Sequence, residues 1–87
     1  MYLHLGKNAV VARERIVGIF DLDTASHSHL TREYLKKAQI SGQIVNISDD
    51  LPKSFVVCRD KEENGEVYLS QLNSSTLMKR CEAADIE

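Results

Sequence analysis

The sequence predicts an α+β domain built on a small, mostly antiparallel sheet, with the element order β-β-β-α-β-β-β-α. Three observations lead there: short β-branched runs separated by Gly and Asn turns, one central stretch of helical period, and a capped helix signal near the end. "YLHL" at 2–5, the turn Gly6-Lys7-Asn8 and "AVVA" at 9–12 read as two strands joined tightly. "RIVGIFDL" at 15–22 is a third, in which Gly18 marks a twist or a close backbone approach. From Ser28 the period changes. Leu30, Tyr34 and Ala38 fall along one helical stripe with Leu35 beside it, while Arg32, Lys36 and Lys37 lie elsewhere. Ser28 or Thr31 suits the cap of this helix, and Gly42 suits the position just past its end. "QIVNIS" at 43–48, "SFVVCRD" at 54–60 and "EVYLSQL" at 66–72 complete the strands. The last two are joined by 61–65, where Asn64-Gly65 is a hairpin signal. "NSSTLMKR" at 73–80 is a short helix with Asn73, Ser74 or Ser75 as its cap.

Eighty-seven residues make a single domain, assigned to residues 1–81, followed by an acidic tail at 82–87. A chain of this size buries only about 60–65% of its unfolded surface. The strands around Ile16–Phe20, Ile44–Ile47 and Phe55–Cys58 are apolar on both faces, whereas an antiparallel sheet in a small monomer normally wets one. One amphipathic helix covers one face, and the terminal helix is too short to cover the other. A second subunit is the simplest cover, so the expected state is an oligomer larger than a dimer.

The net charge of −2 argues against a simple basic nucleic-acid binder. Its distribution matters, because Glu82, Asp85 and Glu87 sit in the tail, leaving 10 acids against 11 bases before it. No apolar stretch approaches the ~20 residues of a membrane span, and the start lacks the pattern of a signal peptide. Cys58 lies in an apolar run and Cys81 near the tail, with no CxxC spacing. Both read as reduced and dispensable, in a cytoplasmic protein.

Asp21, Asp23, His27 and His29 gather before the central helix, but an HxH pair without a third ligand at a known spacing does not make a metal site. No phosphate loop, nucleophile elbow or HExxH is present, so no catalytic residue, metal or cofactor is assigned. The bases fall into three groups: Arg13 with Arg15; Arg32 with Lys36 and Lys37; and Lys53 with Lys79 and Arg80. Glu33, four before Lys37, pairs part of the helix face internally. "LPKSF" at 51–55 has two readings between which pattern alone does not decide: Pro52 simply shapes the turn that launches the strand, or the stiff turn presents Lys53 and Ser54 to an anion such as a DNA phosphate.

"MYLHLG", "VVARERIVGIFDLD", "REYLKK", "LPKSFVV" and "YLSQLNSSTLMKR" together resemble the RemA/RemB family of bacterial extracellular matrix regulatory proteins, most closely its RemB branch. The resemblance runs from Met1 to about Arg80. It implies a transcription regulator of extracellular matrix and biofilm genes, assembled as a homo-oligomeric ring of six to eight subunits that binds DNA through repeated phosphate contacts. RemA-type members carry an arginine pair in the loop before the strand that matches "FVVC", where this chain has Leu51 and Pro52. Lys53, Ser54, Lys79 and Arg80 are then the expected DNA-binding residues. The alternative is a ring-forming protein-interaction module that does not bind DNA. Neither reading includes a membrane or a small-molecule substrate.

Overall fold

The computed structural model describes residues 2–7, 9–59 and 65–86. Strands β1 (Tyr2–Gly6) and β2 (Ala9–Ala12) lead through a 3-10 turn at Arg13–Arg15 into β3 (Ile16–Asp21). A short helix α1 (Leu22–Ala25) and the longer α2 (His29–Ile40) follow, then β4 (Ile44–Asn46), β5 (Ser54–Cys58), β6 (Glu66–Ser70) and α3 (Ser74–Ile86). The expected order stands, with two short additions and a terminal helix that runs past Arg80. The Asn64-Gly65 hairpin signal lies partly outside the described residues.

Strands β3, β5, β6 and β4 form one sheet in that order, antiparallel except for the β4–β6 pair, while β1 and β2 form a separate antiparallel ribbon. Ser28 caps α2, its hydroxyl accepting from Thr31 N, and Gly42 ends it with φ 72°.

Strand β5 explains the two-faced apolar pattern. Val56 and Cys58 face one layer and Phe55 and Val57 the other, as a central strand requires. On the first face the β1–β2 ribbon and α3 close a core of Leu3, Leu5, Val11, Val56, Cys58 and Leu77. The sequence argument assigned that face to a second subunit; the ribbon covers it instead. It was missed because a hairpin read from local pattern gives no hint of which layer it joins.

The second face is the one left incompletely covered. Helix α2 is about 10 Å wide, whereas four strands at ~4.8 Å span nearly twice that. Ala38 and Leu35 pack with Phe55, Val67 and Leu69. Leu30, on the expected stripe, is instead 75% exposed, and Tyr34 is exposed as well. The stripe exists, but only its C-terminal half is buried.

Strand β3 carries a bulge: Ile16 pairs with Cys58 and Gly18 with Val57, so Val17 is the extra residue and is 64% exposed. The bulge lets Ile16 and Ile19 both face the ribbon layer although they are three apart. At Gly18 the close neighbour is a side chain and not backbone: a Cβ there would lie 2.7 Å from the Phe20 ring, which stacks on Phe55 at 5.0 Å.

Candidate functional site

Lys53 ends the loop before β5. Its N–H donates to Ser70 O at 2.8 Å and its carbonyl accepts from Leu22 N at 2.9 Å, so the backbone is fixed on both sides while the side chain is exposed. Pro52 is half-buried just before it. Ser54 behaves differently from its neighbour. It is buried, and its Oγ donates to Leu72 O at 2.8 Å. That hydroxyl is engaged inside the fold, where it ties β5 to the chain leaving β6. Asp49 and Asp50 are exposed beside the turn.

Lys79 and Arg80 are exposed on α3, and Arg80 Nη1 donates to His4 O at 3.0 Å across to β1. Lys53 therefore belongs to the end of the sheet where β5 starts, and Arg80 to the ribbon.

The Arg13–Arg15 group acquires a member that the sequence could not supply. Arg59 N donates to Arg15 O at 2.8 Å, Arg15 Nε donates to Arg59 O at 3.1 Å, and Arg59 Nη2 donates to Glu14 O at 3.4 Å. Arg15 is also committed to Glu66, its Nη2 lying 3.2 Å from Oε1, while the Tyr68 hydroxyl donates to Glu66 Oε2 at 2.6 Å. Residues so far apart in the chain meet only because β3 and β6 flank β5, a relation without a local signal.

This cluster has a consequence for alkaline stability. Burial first, then the hydrogen bond to Glu66, pushes the Tyr68 hydroxyl up from 10.0 to about 12, and burial pushes the Cys58 thiol up from 9.0. Both groups are neutral in the fold and ionise more easily when unfolded. Their contribution is thus complete below the unfolded values and is lost as pH rises from about 9 toward about 12. Urea midpoints measured from pH 8 to pH 11.5 should fall across that range, and Tyr68→Phe should flatten the part above pH 10. A Tyr68→Phe profile as steep as the parent's would refute the assignment.

His29, the first residue of α2, and Asp21 have local structural partners. His29 Nε2 lies 3.0 Å from Glu33 Oε1, and Asp21 caps α1 by accepting from Thr24 N. Glu33 thus pairs backward to His29, although the sequence suggested Lys37. Among the described residues no group of three or more His, Cys, Asp or Glu side chains could hold a metal ion, and no helix is long and apolar enough to cross a membrane.

The uncovered flank of α2 is the other notable surface. A groove of about 330 Å³ opens between α2 and the β3 edge, lined by Val17, Phe20, Leu30, Thr31, Tyr34 and Val57. Its floor and walls hold no charged side chain. A second groove on the opposite flank of α2 is lined partly by Arg32 and Lys36.

Residues 2–81 match the family described as extracellular matrix regulatory protein A-like. Over 82 residues the chain is 42% identical to extracellular matrix regulatory protein B of Bacillus subtilis (strain 168), covering 94% of this chain and 91% of that protein. Both matches span most of the chain, the family match running from β1 into the first half of α3, and the chain belongs to the RemA-like family, a family of regulatory proteins and not of enzymes.

Proposed function

We propose that the protein regulates extracellular matrix genes from the cytoplasm, as a ring-shaped homo-oligomer of six to eight copies that holds DNA through its phosphates. The observation that carries this reading is the 42% identity to an extracellular matrix regulatory protein across almost the full chain. Lys53 is the leading contact. A rigid backbone beneath an exposed ammonium limits the entropy lost when a phosphate is bound, and Pro52 stiffens the approach. Lys79 and Arg80 supplement it. Ser54 supports the turn from inside and makes no phosphate contact in this arrangement. One lysine beside Asp49 and Asp50 is a weak anchor, and repetition around a ring raises its effective concentration. Phosphate contacts of this kind position a protein without reading bases.

In gel-shift titrations at low salt, Lys53→Glu should weaken retention at least about tenfold on every DNA sequence alike, with the oligomer intact by size. Lys79→Glu combined with Arg80→Glu should weaken it less, because Arg80 is partly spent on His4 O. The net charge of −2 and the acidic pair beside Lys53 favour a second reading, a protein-interaction module without DNA. If the parent protein is not retained on DNA at low salt, that second reading replaces the first.

A further inference from the structure

We propose that Lys7, at the turn of the β1–β2 ribbon, is a phosphate-binding residue that shares one stretch of DNA with Lys53. The inference rests on the DNA reading above and adds to it a contact from a second layer of the fold.

Lys7 holds a backbone conformation that its side chain disfavours. Among the described residues it is the only non-glycine in the left-handed region, with φ 41°. Crowding between Cβ and the backbone makes that region costly for lysine, whereas glycine enters it freely and asparagine at a smaller penalty. The side chain recovers nothing locally. It is exposed, and among the described residues its ammonium has no ion-pair or hydrogen-bond partner. Strain at a residue whose side chain holds nothing in place points to a use for that side chain outside the fold.

The fold sets this turn beside Lys53. A Cβ on Gly6 would lie 3.6 Å from Ile47 Cγ2 and 4.0 Å from Ser70 Oγ, so the turn rests on the end of β6. Ser70 holds both segments: its Oγ donates to Leu5 O at 2.7 Å, and its carbonyl accepts from Lys53 N at 2.8 Å. With ordinary bond lengths these contacts keep the Cα atoms of Lys7 and Lys53 no more than about 17 Å apart. One DNA strand presents a charge every ~3.4 Å along the axis, so both lysines fall within about five phosphates of one another. The His4 ring donates from Nε2 to Lys7 O, which fixes the backbone of Lys7 as two hydrogen bonds fix that of Lys53.

Charge favours the ribbon side of this surface. Asp49 and Asp50 outnumber Lys53 in its own loop, whereas no residue from 2 to 12 is acidic. Arg80 reaches the same strand through His4 O. A phosphate chain therefore meets less repulsion over the ribbon turn than over the loop before β5.

The test is a gel-shift titration at low salt, with light scattering and a thermal melt for each variant. Lys7→Asn should weaken retention about three- to tenfold on every DNA sequence alike, with a shallower loss of affinity as salt rises. Its size should match the parent's, and its melting temperature should equal or exceed the parent's, because asparagine suits the left-handed turn. Lys7→Arg, which returns the charge, should restore most of the retention. Parent-like retention by Lys7→Asn overturns the proposal and leaves the reading through Lys53 standing. So does a Lys7→Arg variant as weak as Lys7→Asn, or a Lys7→Asn variant that loses the parent's size, since either would tie the effect to the shape of the turn. A parent protein that is not retained on DNA overturns the DNA reading itself.

Discussion

Leu77→Ala should be among the most damaging single truncations in this domain, lowering stability by about 3 kcal/mol. Leu77 is 0% exposed and is where α3 enters the core formed by Leu3, Leu5, Val11 and Val56. Cutting its isobutyl side chain back to a methyl leaves a void under a layer that two thin elements share. The helix cannot collapse into it without drawing away from the ribbon. For a chain of this length the melting temperature should fall by roughly 12–20 °C. A drop below about 5 °C would mean that α3 is peripheral and that the ribbon alone seals the sheet.

Ser70→Ala should cost nearly as much, about 2–4 kcal/mol, although it removes a single oxygen. The buried Ser70 Oγ donates to Leu5 O at 2.7 Å and accepts from Leu72 N at 3.1 Å. It is the polar clip between the ribbon and the four-stranded sheet. Alanine leaves a carbonyl and an N–H without a partner in an apolar layer, and such groups cost more unpaired than they contribute when paired. Urea titration should show the midpoint moving with little change in slope. Amide exchange should quicken in β1 before it quickens in β5. If exchange quickens uniformly instead, the ribbon is not an independently held layer.

Much of the fold was legible because the local signals agreed on element type even where, as at the Ser28 or Thr31 cap, they left the exact residue open. The period-2 runs, the Ser28 cap, Gly42 and the change of period at the central helix gave every major element. Layer assignment was not legible. That "YLHL" packs on Leu77 and Val56 depends on where a ribbon folds back, and nothing within the ribbon encodes it. The same holds for Leu30 and Tyr34: helical spacing says they share a face, but only the width of the sheet beneath leaves them overhanging. At the site, exposure of Lys53 followed from its place after Pro52. The burial of Ser54 did not, because its partner Leu72 lies on a different segment. Arg59 joined Arg15 for a similar long-range reason.

The meeting of the first strand with the last helix also bears on how the protein is made. Arg80 reaches His4 across 76 positions, and Ser70 reaches Leu5 across 65. Synthesis proceeds from the N-terminus, so β1 and β2 emerge long before Leu77, which shares their core, has been joined to the chain. Until Leu77 has emerged, Leu3, Leu5 and Val11 lack the part of their cover that α3 supplies. A chain truncated within α3 keeps Val56 and Cys58 to receive the ribbon but lacks the helix that closes that layer, so its β1 and β2 hold only part of their native core.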